Sequence, residues 1–502
     1  MLRRLVLIAR CQDQTFTRAR ETLSQFGVFI FGHPRRYCQA TLRLIPACSS
    51  LLPGQCCRRF DTPFARATIN RSRGSGSFLM IDQVQITRLA NGLAILTEHM
   101  PGLRSISIGI WVRRGSRHEA RHLNGISHFI EHALFKGTMR RSARDIAIES
   151  DRLGGHLDAY TTHELTGFAF KIVDSELTKA FDLLSDLVTN PRFAEDDLTR
   201  EQKVIIEEMK MIEDTPEELL SELFNSAYFP GNSLGRPIEG TEQTVSSFNQ
   251  AATSQFHAEN YSPRNLVVAA AGNIEHQRLV ELAANIFADQ NVLPEETESK
   301  ELPAAAAPIL IERKSELEQA HLIIAAPWPS AISDDRYAAS MLGTIIGGST
   351  SSRLWQSIRE ERGLAYSIGA GGSTFSDVGM FMIFAGASPA QIDQIVDLSL
   401  AELRRTVHEP VLQEELELAK QQATSSILLG LESSSARVGA LARQEIIHGR
   451  RISPDEIIRR IAAVTVEDLQ RVARSCFTTD ALALGALGNL NGFVVDRTRL
   501  EI

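Results

Sequence analysis

Residues 128–132 read His-Phe-Ile-Glu-His, and their types and spacing suit one kind of chemistry. Two imidazoles four residues apart on a helix stack on one face, close enough to grip a single metal ion. Glu131 lies three residues beyond His128 and one before His132, so its carboxylate can reach whatever fills the metal's open position. Zinc held by two His and a carboxylate, with water in the fourth place, is a hydrolytic arrangement, and a nearby Glu is the base that water needs. The alternative, two core histidines, is disfavoured by Glu131 between them. His118, His122, His156 and His163 lie nearby in sequence, and each alone reads as a surface or loop residue.

Two histidines need a third protein ligand and an element to carry it. The pattern over 195–212 is helical. Stepping by three or four from Glu201 gives Val204, Ile205, Glu208, Met211 and Ile212, an apolar stripe with two embedded carboxylates. Buried carboxylates are costly unless they are paired or bound to a cation. Glu208 can complete a two-His, one-Glu zinc site, while Glu201 can support it from behind or hold an alternative position. Glu207 falls off the stripe and is expected in solvent. The plainer reading pairs both carboxylates with Arg or Lys across a core.

The elements that position these residues belong to a chain of 502 residues, enough for two or three domains at roughly 150 residues each. At 43% hydrophobic and 23% charged the composition is that of a globular protein with large cores. No apolar run approaches the ~18 residues of a membrane helix, so no membrane span is expected.

Charge is unevenly placed. Residues 1–79 hold 13 Arg, no Lys, and only Asp13, Glu21 and Asp61, a net of +10. Taking these from the totals of 53 basic and 61 acidic residues leaves 40 and 58, a net of −18 for the remainder. A body that acidic argues against nucleic acid and for basic ligands. Cys11, Cys38, Cys48, Cys56 and Cys57 lie in the leader and only Cys476 beyond it. One thiol makes no internal disulfide, which suits a reducing compartment without requiring one.

The leader shows no periodicity and admits three readings: an Arg-rich transit segment, a disordered basic arm, or translated sequence upstream of a functional start at Met80. Its length and cysteines favour the last, which implies a bacterial cytoplasmic protein; a transit segment would imply the mitochondrial matrix. The stretch Leu-Ile-Pro-Ala-Cys48 faintly suggests a lipoprotein site, but no apolar segment precedes it. Patterned sequence starts at Ile81 with a strand, a tight Asn91-Gly92 turn and a second strand.

Beyond Met80 the chain divides near an acidic, proline-bounded stretch, giving units 80–292 and 309–502 joined by a linker over 293–308. Both units repeat one run of elements. In the first, strands are expected at 157–160 and 167–172, then helices at 176–189 and 195–212. In the second, strands are expected at 365–370 and 380–385, then helices at 389–407 and 413–429. Such a match suggests duplication of an α+β unit. Setting Leu198 on Leu416 places Ala419 and Ser426 opposite Glu201 and Glu208, and the second unit has no His-x-x-Glu-His. Only the first copy is armed.

The run Gly125-Ile-Ser-His-Phe-Ile-Glu-His-Ala-Leu-Phe-Lys-Gly-Thr138 resembles the pitrilysin family of zinc peptidases, whose motif order inverts that of the commoner zincins. The match is to its short-chain branch of bacterial processing-type peptidases and mitochondrial processing peptidase β subunits. It runs from about Val84 to the C-terminus and includes Leu153-Gly-Gly-His-Leu-Asp-Ala-Tyr-Thr161 and Pro263-Arg-Asn-Leu-Val-Val268. The family's third ligand follows the second His in a Glu-Glu-Met or Arg-Glu-Met context; Glu208 in Glu207-Glu208-Met209, 76 residues beyond His132, matches it.

The resemblance implies an α+β fold of two homologous halves, each a mainly antiparallel sheet packed with helices, enclosing a peptide chamber. It implies one Zn2+ per chain on His128, His132 and Glu208, with Glu201 in support and Glu131 moving a proton from water to the leaving amine. Asp158 and Ala159 match the edge strand to which substrate backbone adds. The family usually has Asn at the Asp158 position, and a carboxylate cannot donate as an amide does, so an ordinary strand-end Asp stays open beside that role. Ser351-Ser-Arg-Leu-Trp-Gln-Ser-Ile-Arg-Glu-Glu-Arg-Gly-Leu-Ala-Tyr366 resembles the substrate-clamping motif, which assigns Arg359 and Tyr366 to the bound peptide. The alternative for Arg359 is a surface ion pair with Glu360 or Glu361.

The expected function is therefore a zinc endopeptidase acting on extended peptides or presequence-like segments. Its expected partners are the peptide and a second copy or another subunit of the same fold. Two alternatives stand beside it. One is a noncatalytic scaffold, although such subunits usually lose the zinc residues kept here. The other is a processing subunit that needs a separate partner.

Overall fold

The computed structural model describes residues 84–290 and 303–502. The expectations for the 1–79 leader, and for 293–302 of the linker, lie outside the described residues.

The first half is built on a sheet of six strands: β1 (Val84–Arg88), β2 (Ala94–His99), β3 (Ser105–Val112), β4 (His156–Thr161), β5 (Thr166–Val173) and β6 (Leu266–Gly272). Their order is β1-β2-β6-β3-β5-β4, so β4 is an edge strand. Every pair is antiparallel except β2 with β6. Four helices of this half bear on the site: α1 (Ile126–Leu134), α2 (Leu177–Thr189), α3 (Glu195–Glu213) and α4 (Pro216–Tyr228).

The second half repeats the plan. Its strands are β7 (Ile309–Arg313), β8 (Ala320–Trp328), β9 (Ala365–Thr374), β10 (Gly379–Ala387) and β11 (Ala483–Gly488), ordered β7-β11-β8-β10-β9. With β1 set aside, the two orders agree strand for strand, and the one parallel pair, β7 with β11, recurs at the same place. Helices α5 (Arg336–Ile346), α6 (Ile392–His408), α7 (Gln413–Gly430) and α8 (Ser434–His448) follow the same rhythm. The strands run two to four residues longer than the expected apolar cores, because backbone pairing continues past the patterned residues. The helices expected from 176 and 389 open instead with 3-10 turns, Asp174–Glu176 and Pro389–Gln391.

Strand alternation decides what each sheet face meets. Leu266, Val268 and Ala270 of β6 point into a core with Phe129 and Ile130 of α1 and Phe181 and Leu184 of α2. Val267, Ala269 and Ala271 point the other way, and α8 from the second half covers them with Val438, Leu441 and Ala442. The exchange is reciprocal. Helix α4 of the first half lays Leu220, Phe224 and Tyr228 on Ile323, Ala325, Ala483 and Leu487 of the second sheet. Gly485 permits this: a Cβ there would lie 2.7 Å from the Phe224 ring. Burying each large apolar side chain is worth about 1.5–3 kcal/mol, so the swapped helices hold the halves together.

Polar contacts fix the register of the exchange. Glu445 of α8 is held by Arg88 at 2.6 Å and Arg113 at 2.7 Å, and Ser434 Oγ lies 2.9 Å from Ser107 Oγ. At another junction Arg117 bridges Glu164 at 2.8 Å and Asp377 at 2.7 Å, tying the β4–β5 turn to the β9–β10 turn. The described end of the expected linker is anchored too: Ala306 N donates to Tyr228 O at 2.7 Å, and Leu484 N to Pro308 O at 2.9 Å. Among the described residues no helix is long and apolar enough to cross a membrane.

Candidate active site

Helix α1 is set by its N-terminus. Gly125 has φ 94°, and a Cβ there would lie 2.4 Å from Glu239 O, so the turn into the helix requires glycine. The buried carboxylate of Glu119 accepts hydrogen bonds from Gly125 N at 2.7 Å and Ser127 N at 2.8 Å, satisfying amides that a helix start leaves without partners. Burial pushes the Glu119 carboxyl up against these bonds. Ile126, Phe129, Ile130 and Ala133 face the core. The 3.6-residue period then turns His128, Glu131 and His132 to the other side, against α3.

Glu208 of α3 meets the two histidines there. Its Oε2 lies 3.9 Å from His128 Nε2 and 3.7 Å from His132 Nε2, and one ligand atom from each residue falls within a 4.8 Å cluster. The rings approach edge to face, with centroids 4.6 Å apart. Ligands on a tetrahedral zinc with bonds of about 2.0–2.1 Å sit roughly 3.4 Å from one another, so small side-chain rotations reach that geometry. Two details fit a cation. Glu208 Oε2 is buried yet accepts no hydrogen bond, and burial, then the neighbouring His132, push His128 down to about 3, keeping its imidazole neutral.

Glu201 stands behind His132. Its Oε2 is 3.3 Å from His132 Nδ1 and its Oε1 is 2.8 Å from Lys136 Nζ. Burial opposes its charge, but His132 and Lys136 outweigh that and hold the carboxyl below its usual range. Burial likewise opposes charge on His132, and the bond to Glu201 overcomes it, raising that imidazole. The expected apolar stripe on α3 is corrected in part. Leu198, Glu201 and Ile205 are buried, whereas Val204 and Met211 are 49% and 40% exposed. The buried face of α3 is therefore narrower than the periodicity implies. Glu207 points outward and pairs with Lys210 at 2.8 Å.

Glu131 is buried and accepts a 2.6 Å hydrogen bond from Thr161 Oγ1 on β4. Burial pushes its carboxyl up to about 7 despite that bond. Asp158 lies on the same strand with its side chain exposed, and its Oδ1 accepts from Ala159 N at 3.1 Å. Ala159, half-buried, packs beside the core under α1.

Arg359 and Tyr366 come together in the second half. A single π-helical turn, Trp355–Glu360, presents Arg359 with its guanidinium 4.1 Å from the Trp355 ring centre and 5.5 Å from that of Tyr366. Tyr366 is 74% exposed. The alternative ion pair of Arg359 with Glu360 or Glu361 is not formed: Glu360 accepts from Trp355 Nε1 and Glu361 pairs with Arg362. Among the described residues no hydrogen bond or ion pair joins Arg359 or Tyr366 to His128, Glu131, His132 or Glu208.

Several residues of the site escaped the sequence reading. Glu119 lies nine residues before His128 and shows its capping role only once the chain turns back. Lys136 and Thr161 sit inside quoted motifs; alternation along β4 puts Thr161 on the face of Leu157 and Ala159, which was the available signal. A group of carboxylates also gathers near Glu208. Glu222 is pushed up to about 7 by burial and by Glu239, Glu218 and Glu213, and Glu239 to about 7 by burial and by Glu208 and Glu218.

Comparison with known proteins places these features. Residues 94–242 match the model for Insulinase (Peptidase family M16), and residues 247–423 match the Peptidase M16 inactive domain. The chain is 37% identical over 402 residues to an uncharacterized zinc protease of Streptomyces coelicolor, covering 78% of this chain and 87% of that one. It is 37% identical over 395 residues to the uncharacterized zinc protease YmxG of Bacillus subtilis, covering 78% and 96%. A crystal structure of a protease from Helicobacter pylori superposes with TM-score 0.76 at 22% identity, over 82% of this chain and all of that one, which speaks for the fold. The first match spans the histidines, Glu131 and Glu208, and the second falls largely on the half without them. The chain belongs to the pitrilysin, or insulinase, family of peptidases, family M16.

Proposed function

We propose that the chain is a zinc-dependent endopeptidase that hydrolyses extended peptides held between its two halves. The observation that carries this reading is the convergence of His128, His132 and Glu208 within 4.8 Å, with Glu131 one residue from His132 on the same helix. His128, His132 and Glu208 would hold one Zn2+, with Glu201 fixing His132. When bound, the metal supplies a Lewis acid that polarises a carbonyl and favours ionisation of water.

The remaining work falls to the chain. Glu131 takes a proton from the water that attacks the scissile carbonyl carbon. As the carbon–nitrogen bond breaks, it passes that proton to the leaving amine. The free edge of β4, at Asp158 and Ala159, receives the peptide as an added strand. Arg359 and Tyr366 donate to the carbonyl oxygen as it gains charge. The carboxylates of Glu213, Glu218, Glu222 and Glu239 near Glu208 support a preference for peptides bearing Lys or Arg.

The test pairs zinc content with cleavage of a quenched fluorescent basic peptide, in the full chain and in Glu131→Gln. The reading expects about one zinc in both proteins and cleavage reduced at least ~100-fold in the variant. Zinc without cleavage in the wild type would move the reading to a subunit that needs a partner, and no zinc would move it to a scaffold.

A further inference from the structure

We propose that Thr161 is a positioning residue, whose hydroxyl fixes the carboxylate of Glu131 to the strand on which the peptide is laid. The inference rests on the reading above, with Glu131 as the base. A glutamate ends three rotatable bonds, and a base works only when it sits within about 2.6–3.2 Å of the proton it takes. Thr161 Oγ1 holds Glu131 Oε2 at 2.6 Å, and among the described residues no hydrogen bond engages the second carboxylate oxygen, which is left for proton transfer. The hydroxyl has one hydrogen, and its other neighbour, Thr166 Oγ1, is 3.5 Å away, so the short bond to Glu131 takes it.

The anchor is itself fixed. Thr161 pairs with Thr166 of β5, and the next residue closes the turn through Thr162 N to Leu165 O at 2.8 Å. Ser116 N donates to Thr162 O at 3.1 Å and Arg117 N to His163 O at 2.9 Å, clamping the turn from outside. The two methyl-sized branches of a threonine restrict χ1 in a strand, which aims the hydroxyl. One strand thus registers both reacting partners: its edge takes the peptide and its last side chain takes the base.

The experiment compares Thr161→Val and Thr161→Ser in the full chain, reading kcat and KM on the fluorescent peptide, zinc content, and peptide affinity in the Glu131→Gln background. Valine keeps the shape and suits a strand, but cannot donate. The expected result is a kcat reduced about 30- to 100-fold for Thr161→Val, with KM within about twofold and zinc unchanged. Thr161→Ser is expected to recover kcat to within about fivefold of wild type, and Thr161→Val to leave peptide affinity of the Glu131→Gln protein unchanged. Should Thr161→Val fail to fold, Thr161→Ala carries the same expectation. An unchanged kcat, a loss confined to KM or peptide affinity, or a serine variant as impaired as the valine overturns the proposal alone. A wild type that holds no zinc or cuts nothing overturns the endopeptidase reading, and this inference with it.

Discussion

Lys136 Nζ lies 2.8 Å from Glu201 Oε1, and the other oxygen of that carboxylate faces His132 Nδ1 at 3.3 Å. Against burial, His132 and then the lysine keep Glu201 charged, and the charged carboxylate orients the imidazole whose far nitrogen faces Glu208. A ligand histidine whose second nitrogen is so held binds metal more tightly.

Glu201→Gln should therefore weaken zinc binding by about 10- to 100-fold while the fold is kept. Competition with a graded series of chelators measures this directly. Lys136→Met should weaken it in the same direction and by less, since Glu201 remains. Equal zinc affinity in Glu201→Gln and wild type would mean that Glu201 only packs.

The substrate clamp proposed for Arg359 and Tyr366 gives a prediction of another kind. Arg359 lies on the face of Trp355, and its planar guanidinium is not replaced by an ammonium. Both Arg359→Lys and Arg359→Ala should lower kcat, by about 100-fold for alanine, with zinc content untouched. A rise in KM with kcat intact would assign Arg359 to ground-state binding instead.

Much of this fold was legible because duplication writes the same pattern twice. The paired strands and helices of each half follow from period-2 and period-3.6 runs, and agreement between the copies reinforces each. The position of Glu208 was legible because a carboxylate beside Ile205 on an apolar line needs a reason. The exchange of α4 and α8 was not. Phe224 and Val438 read simply as apolar helix residues, and nothing local says which sheet they cover. The exposure of Val204 and Met211 was missed for a related reason: periodicity marks an apolar face, but the width of the neighbour that covers it is a tertiary matter.

Glu445 tests the exchange energetically. Its side chain is 2% exposed and paired with Arg88 and Arg113, which are 49% and 23% exposed. Breaking a buried pair costs about 3–5 kcal/mol, and because both arginines can reach water, Glu445→Gln should cost about 2 kcal/mol. Burial opposes charge on Glu445, but Arg88 and then Arg113 outweigh it, so its folded pKa lies below the ordinary 4.5. The carboxylate therefore stabilises the fold above that pH, and the contribution fades as pH falls through the lowered value. Denaturant titrations should show variant and wild type converging in acid; a constant gap would assign the effect to shape.

If the carboxylates near Glu208 bind basic peptides as proposed, they do so at a cost to the fold, and Glu222 separates the two effects. Burial, then Glu239, Glu218 and Glu213, push its carboxyl from 4.5 up to about 7. A raised pKa means that Glu222 favours folding below about 4.5 and loses that contribution as pH rises through 7. Glu222→Gln should therefore raise the melting temperature relative to wild type more at pH 8 than at pH 5. The same substitution should raise KM for a peptide carrying Lys or Arg and leave a neutral peptide unaffected, with the difference shrinking in high salt. A variant that melts like the wild type at pH 8 would show that Glu222 is solvated, and an equal KM for both peptides would remove it from recognition.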